Sequence, residues 1–445
     1  MFKKTIRNII YFFSKFNFNH ESKIIGSLKT KAQVLKYQKE QLEKLLLHAY
    51  KNVFYYHKVF NKIGLIKNNR VDFLKFQSIP ILTKDIMRKN LNNLTSRDIK
   101  KRNWFYDSSG GSTGEPVKFI QDFKYKNMGN AVLSKYASDF LGIDYFNDKK
   151  IVLWGSERDL LKGSIDIKAK FQNWLENTVF LNSFLMDVKK MDSYIKKINS
   201  FKPVYIKAYA SAIYQLSKYI KDKKIKMHSP RVIITSAEVL EPQMRKTVEG
   251  VFNTKIYNFY GSRENLAIAA ECKRGNLHSF PYWTVLEVVD EKGGLVKPGK
   301  SGKVLVTNLH NFSMPFIRFE IGDLATTGSK NCKCKKPGDL IKSIVGRTTG
   351  VMYRYDGTII SGPALTLTFN AKKWVKAFQI IQEDYLKVKI LVVKNRKPVK
   401  TDINYIENKF KKVLGDKVKV SWKYVKAISK TKSGKYQYIR SLVKR

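Results

Sequence analysis

Cysteine is scarce: the 445-residue chain has three. Three thiols cannot build the disulfide framework of a secreted scaffold, and so low a count fits a reducing cytoplasm. Long apolar runs are missing as well. The uninterrupted ones fall far short of the ~20 residues that cross a bilayer. Acidic residues are few beside basic ones, 36 Asp plus Glu against 85 Lys plus Arg, for a formal net charge of +49. That balance implies anionic company: nucleotides, anionic lipid, acidic polysaccharide or nucleic acid. The excess is spread along the chain without a basic tail, as lysine-rich solvated faces also would be. No internal repeat or low-complexity tract occurs. The common phosphate loop, Gly-x-x-x-x-Gly-Lys-Ser/Thr, is absent too.

What is present is a globular composition, 43% hydrophobic, on a chain long enough for two or three domains. Met1 to His20 is basic and aromatic, and its apolar run Ile9-Ile-Tyr-Phe-Phe13 is too short for a signal-peptide core. It reads as an amphipathic helix, packed on the protein or lying on a membrane surface. Residues 37–66 place Tyr37, Leu42, Leu45, Leu46, Ala49, Val53, Tyr56 and Phe60 at helical spacing. Thr83-Lys-Asp reads as a helix start, and Lys124–Leu141 as a long helix. Lys150–Trp154 is a buried-strand run, followed by a helix-rich segment to about Lys197. From Val204 strands and helices alternate: helix Ala208–Ile220, strand Arg231–Ser236, helix Pro242–Phe252, strand Lys255–Phe259. This is the pattern of an α/β layer with parallel strands. From Tyr282 the texture changes to short strands around a Gly293-Gly294 turn, then Pro315–Asp323. Beyond a Gly-bounded joint at Gly346–Gly350 lies a compact α+β region, with strands near Ala377–Gln382, Lys387–Val393 and Val418–Tyr424 and a helix at Asp402–Val413.

The stretch that organises the chain is Asp107-Ser-Ser-Gly-Gly-Ser-Thr-Gly-Glu-Pro116. Glycine lets a backbone approach an anion closely, so such a loop can wrap N–H and O–H groups around phosphate oxygens. A plain Ser/Gly turn is the alternative. Sites in α/β sheets form beyond the carboxyl ends of strands. Two polar clusters lie there: Ser236-Ala-Glu238 and Asn258-Phe-Tyr-Gly-Ser-Arg-Glu264.

In order, the chain carries the Ser/Gly/Thr loop, Tyr-Gly-x-x-Glu, Arg-x-x-x-Gly-Asp, Gly-Arg and a near-terminal Ser-Gly-Lys. This series resembles the adenylate-forming ligases, in particular the phenylacetate–CoA ligase branch and its CapK-type capsule-biosynthesis members. Leu45-Leu-Leu-His-Ala49, Ile79-Pro-Ile-Leu-Thr-Lys84 and Ala208-Tyr-Ala-Ser-Ala212 extend the resemblance over nearly the whole chain. It implies an α/β fold. A large N-terminal domain of α/β layers would span 1–345, with a small β subdomain at about 282–345. A hinge would lie at 346–350, and a small mobile α+β domain at 351–445.

The resemblance also implies ATP- and magnesium-dependent activation of a carboxylate as acyl-adenylate, then transfer to coenzyme A or an amine, in a cytoplasmic enzyme of capsular polysaccharide biosynthesis. Ser109, Gly110, Gly111, Ser112, Thr113 and Gly114 would cradle phosphates. Glu264 would hold magnesium. Ser236, Ala237, Glu238 and Asn258 would read adenine, with Tyr260 and Gly261 beside the nucleoside. Asp323 and Arg347 would take the ribose. Lys435 would be the catalytic cation. Arg263 and the pair Thr348-Thr349 depart from the family pattern, which has Ser or Thr and often an Asp pair there. Cys272, His278, Cys332 and Cys334 could together satisfy a structural zinc; reduced cysteines beside a strand-end histidine are the alternative. Residues near Phe140, Trp154 and Tyr209 would wall the acid pocket.

Specific nucleic-acid binding is not expected. Peripheral contact with a membrane or an anionic glycan is compatible with the charge. Two further readings compete: a basic protein that binds anionic polymers, and a nucleotide-binding relative without ligase activity.

Overall fold

The structure is a computed structural model. It describes residues 17–109, 117–155, 171, 173–183, 186, 188–329, 332–347, 351–356, 359–361, 363–369, 372–429 and 437–443. The Met1–His20 helix expectation therefore falls almost wholly outside the described residues, where the first helix is Asn19–Ser27. By contacts between residues the chain divides into two units. The first comprises Met1–Ser109, Val117–Ile321 and Thr326–Ser343; the second comprises Gly110–Pro116, Gly322–Ala325 and Ile344–Arg445.

The helices Lys31–Asn52 and Phe54–Ile63 follow from the helical spacing read in the sequence, and Leu42, Leu45, Leu46, Ala49, Tyr56 and Phe60 are buried on them. Two hairpins come next in the strand order: β1 (Ile66–Lys67) with β2 (Arg70–Val71), and β3 (Trp104–Ser108) with β4 (Lys118–Asp122). Asp122 then caps the helix Phe123–Tyr136, accepting the Tyr125 N–H at 2.8 Å, and the helix continues in a wider turn through Leu141.

The main sheet is built from β5 (Lys150–Trp154), β6 (Thr178–Asn182), β7 (Tyr205–Tyr209), β8 (Val232–Ser236), β9 (Ile256–Tyr260), β10 (Ala269–Glu271), β11 (Leu277–Ser279), β12 (Thr284–Val289), β13 (Ser301–Asn308), β14 (Phe319–Thr327) and β15 (Leu340–Arg347). Its order is β12-β13-β14-β15-β11-β10-β9-β8-β7-β5-β6. Strands β6, β5, β7, β8 and β9 run parallel, and β10 turns antiparallel against β9. Every residue of β8 is buried, as a parallel strand covered on both faces requires. One face packs against the helices Val188–Phe201, Ala210–Asp222 and Pro242–Phe252 through Ile198, Ile213, Leu216, Val248 and Phe252. The other face packs against the Phe123–Tyr136 helix, with Tyr136, Phe259, Phe280 and Trp283 at its centre.

Two elements differ from the sequence reading. Ala208 was expected to open a helix, but it is the fourth residue of β7, paired with Leu153 and Thr235, and the helix starts at Ala210. Small residues score as helical locally, yet fully buried Ala208 fits between two parallel neighbours. Strand β6 lies in a segment read as helix-rich. It earns its place through edge pairing with β5, which local pattern does not report.

The second unit carries its own core. The hairpin β16 (Val351–Tyr353) with β17 (Ile359–Ser361) leads to β18 (Val375–Asp384), β19 (Lys387–Lys394), β20 (Lys419–Tyr424) and β21 (Ile439–Ser441), ordered β20-β19-β18-β21. The helix Lys400–Leu414 lays Ile406, Phe410 and Leu414 into a cluster with Val388, Ile390 and Val392.

Candidate active site

The loop candidate is the connection of the β3–β4 hairpin, whose last pair is Ser108 with Lys118. Gly110, Gly111, Ser112, Thr113 and Gly114 lie outside the described residues. Ser109 is buried at the neck of the loop. Its N–H donates to Val117 O at 2.9 Å, and its Oγ accepts the Val117 N–H at 2.9 Å. The loop thus springs from a fixed base.

The turn that follows β9 lies beside this hairpin. Gln121 Nε2 on β4 donates to Arg263 O at 3.0 Å, and the Arg263 guanidinium reaches Ser108 O at 3.4 Å. Tyr125 Oη, on the helix after β4, accepts the Leu266 N–H at 3.1 Å and donates to Glu264 O at 3.4 Å. Gly261 is required here. A Cβ at that position would stand 2.2 Å from Leu266 O. These contacts place Glu264 next to the hairpin, its carboxylate buried and 3.6 Å from Lys84 Nζ. Lys84 begins a short helix capped by Thr83, whose Oγ1 accepts the Ile86 N–H. Two of the motifs read separately in the sequence therefore meet, and a third residue joins them. Nothing local to Lys84 in the sequence signals that it pairs with Glu264.

The second cluster lies at the carboxyl end of β8. Ser236 is buried and paired with Tyr209 and Phe259. Ala237 adopts φ 68, left-handed and unusual for a residue with a side chain. Glu238 Oε2 accepts the Ser211 N–H at 2.7 Å, which spends a carboxylate on the start of the Ala210–Asp222 helix. Asn258 sits one strand over, opposite Thr235, with its backbone N–H held by Glu271 at 2.8 Å. Tyr260 is buried at the end of β9. Asp323, buried on β14, falls within the second unit beside Gly322 at φ 90. Arg347 ends β15, and its side chain is outside the described residues, as is all of Lys435. Of the residues expected around the acid, Trp154 and Tyr209 touch, their ring centroids 4.0 Å apart. Phe140 instead packs edge-on against His278 at 5.9 Å.

The thiols gather at the end of β10 and in the segment before β15. Ligand atoms of Cys272, His278, Cys332 and Cys334 lie within 4.8 Å of one another. Cys272 Sγ and Cys332 Sγ are 3.9 Å apart, and Cys334 Sγ is 3.2 Å from His278 Nε2. A tetrahedron with Zn–S bonds near 2.3 Å has S–S edges of about 3.8 Å, so the donor set and its spacing fit zinc.

The chain spans the same architecture as several known proteins. Residues 352–441 match the CapK C-terminal domain. Protein CapK of Staphylococcus aureus is 24% identical over 436 residues, which is 96% of this chain and 93% of the relative. The chain is thus similar to CapK along almost its whole length. Phenylacetate-coenzyme A ligase of Thermus thermophilus is 27% identical over 162 residues, 35% of this chain and 36% of that enzyme. A solved 2-hydroxyisobutyryl-CoA ligase, in the postadenylation state with R3-HIB-AMP, superposes with a TM-score of 0.69 at 14% identity, covering 92% of this chain and 89% of its own. The same ligase with 2-HIB-AMP and CoA in its thioesterification state gives 0.57 at 15% identity, covering 94% and 91%. The chain has the fold of solved adenylate-forming CoA ligases, and its last part resembles the CapK C-terminal domain. No helix among the described residues is long and apolar enough to cross a membrane.

Proposed function

We propose that this protein activates a carboxylic acid with ATP, forming an acyl-adenylate and pyrophosphate. In a second step a thiol or amine attacks the acyl carbon and AMP departs. Coenzyme A, or an amino group on a sugar or carrier, is the acceptor, and the product serves capsular or surface polysaccharide synthesis. The observation that carries this reading is the joining of the Glu264 turn to the β3–β4 hairpin, which brings a buried carboxylate to the base of the Ser/Gly loop. The fold it shares with ligases solved with acyl-AMP and CoA, and the CapK relative, support it.

In this reading Ser112, Thr113 and the loop glycines hold phosphate oxygens, and Glu264 holds magnesium, a hard ion that takes oxygen ligands and offsets phosphate charge. Ser236, Ala237, Glu238, Asn258 and Tyr260 border the nucleoside, and Asp323 with Arg347 takes the ribose. Lys435 neutralises charge that develops as the carboxylate meets the α-phosphate. The test is ATP–pyrophosphate exchange with a panel of carboxylic acids. Exchange with at least one acid is expected, and Lys435→Ala or Glu264→Gln should each cut it by ~10²- to 10³-fold. ATP binding with no exchange for any acid would reject ligase activity.

The cysteine–histidine cluster holds zinc in a structural role, tying β10 and β11 to the segment before β15. Purified protein should contain one zinc per chain, and chelation should lower its melting temperature. A metal-free preparation that melts unchanged after chelation refutes this.

A further inference from the structure

Lys207 stands inside the main sheet. Tyr205, Lys207 and Tyr209 alternate with Ile206 and Ala208 along β7, and the latter two fill the core under the Ala210–Asp222 helix. The lysine therefore projects from the opposite face, half-buried. Its Nζ donates to Tyr145 Oη at 2.9 Å and lies 5.6 Å from both the Tyr145 and the Trp154 ring centres. No carboxylate among the described residues comes within ion-pair reach of it. Nearby Lys150, in contrast, approaches Glu176 and two carbonyl oxygens. An ammonium ion has three donors, and one phenol occupies one of them. The two aromatic faces attract the cation without occupying its remaining donors, which leaves it able to take an anion.

Register sets Trp154 near Tyr209, whose Oη donates to Gly155 O at 2.6 Å, so this aromatic pair closes the carboxyl ends of β5 and β7. Tyr209 in turn is paired with Ser236. Lys207 is two residues back and one strand over from the Ser236–Glu238 cluster, a Cα separation on the order of 8 Å from strand spacing and rise.

We infer that Lys207 is a specificity residue: the acid activated here is a compact dicarboxylic acid, whose second carboxylate pairs with Lys207 while its body lies against Trp154 and Tyr209. The inference rests on the acid-activation reading above and names the substrate class. One carboxylate reacts at the α-phosphate of ATP, whose nucleoside Ser236–Glu238 border, and Lys207 holds the other as an unreacting anion, with no proton or bond exchanged.

Pyrophosphate exchange tests it with succinate, glutarate, adipate and phthalate, each beside its monomethyl ester. At least one diacid should exceed its ester by ~10- to 100-fold in kcat/KM, the range a charge-assisted bond supplies, mainly through KM. Lys207→Met should erase that preference, and Lys207→Arg should keep much of it. Should Lys207→Met fail to fold by thermal melting, Tyr145→Phe, which frees the ammonium from its anchor, should still alter the diacid-to-ester ratio. Esters or other monoacids exchanging as well as diacids overturns the inference and leaves the activation reading intact. So does an equal loss for acid and ester in Lys207→Met, which would put Lys207 on the reacting carboxylate or in the fold. No exchange with any acid of this panel or the general one rejects the activation reading itself, and the inference with it.

Discussion

Lys84 and Glu264 carry opposite charges 3.6 Å apart, with the acid nearly covered and the lysine only partly so. A carboxylate removed from water needs either a cation or donors, and here the protein supplies a cation at the start of a short capped helix. Replacing Lys84 by Met leaves that carboxylate without its partner. We expect Lys84→Met to lower stability by on the order of 1 to 3 kcal/mol, less than for a fully buried pair because Lys84 is partly solvated. Urea unfolding measures this. Pyrophosphate exchange should fall together with it, whereas Lys84→Arg should restore much of both. Unchanged stability in Lys84→Met would mean that water already satisfies Glu264. At this scale Tyr-Gly-x-x-Glu singles out Glu264 in the sequence, whereas no motif singles out Lys84. Its partner is remote in the chain, and one lysine among so many carries no local mark.

Arg318 shows how single elements are locked together. It begins no strand itself but sits left-handed, at φ 49, just before β14, and it is almost fully buried. Its Nε donates to both Glu287 oxygens, on β12, at 3.2 and 3.1 Å. The other nitrogens reach Gln77 O, Ile79 O and Gly293 O. One guanidinium thus joins the stretch before Ile79-Pro-Ile-Leu-Thr-Lys84, the Gly293-Gly294 turn and the strand that leads to Asp323. Arg318→Met strands a buried glutamate and three carbonyls, and should cost about 3 to 5 kcal/mol by chemical denaturation. Glu287→Gln, which keeps shape and acceptors, should cost less. If Arg318→Met cost under 1 kcal/mol, water rather than the arginine would be satisfying those carbonyls. The motif Arg-x-x-x-Gly-Asp was legible as a motif, but its arginine is a structural tie whose partners lie in three separate stretches.

Across the whole molecule, His310 reports on the packing of the sheet. It is buried against Trp283, ring centres 5.7 Å apart, and its Nε2 lies 2.8 Å from Tyr282 O. Burial pushes its pKa down to about 4, opposed by the Tyr282 carbonyl, from an ordinary value of 6.5. Because the folded pKa is the lower one, the unfolded chain takes up the proton first as pH falls. The neutral ring's contribution is complete above the unfolded pKa and is lost progressively toward the folded one, a drop of ~3 kcal/mol in all. Unfolding free energies measured from pH 7 to pH 4.5 should show it, and His310→Gln should flatten the slope. An identical slope in the variant would assign the acid sensitivity to other groups.

Most elements, and the order of the motifs, were legible in the sequence; β6 and the true start of the Ala210–Asp222 helix were not. Periodicity marked the helices, apolar runs marked most of the parallel strands, and the ordered Gly, Ser, Glu, Asp and Lys motifs resemble those of the adenylate-forming ligases. Those signals are local, fixed by backbone sterics and by the residue types a phosphate or a metal needs. Which distant residues meet emerged with the packed sheet: Lys84 with Glu264, Gln121 with Arg263, Cys272 with Cys332, Lys207 with Tyr145 and Trp154. Each pairing depends on strand order and register, and these are set by which faces are buried together, a property of the assembled sheet that no single stretch of chain contains.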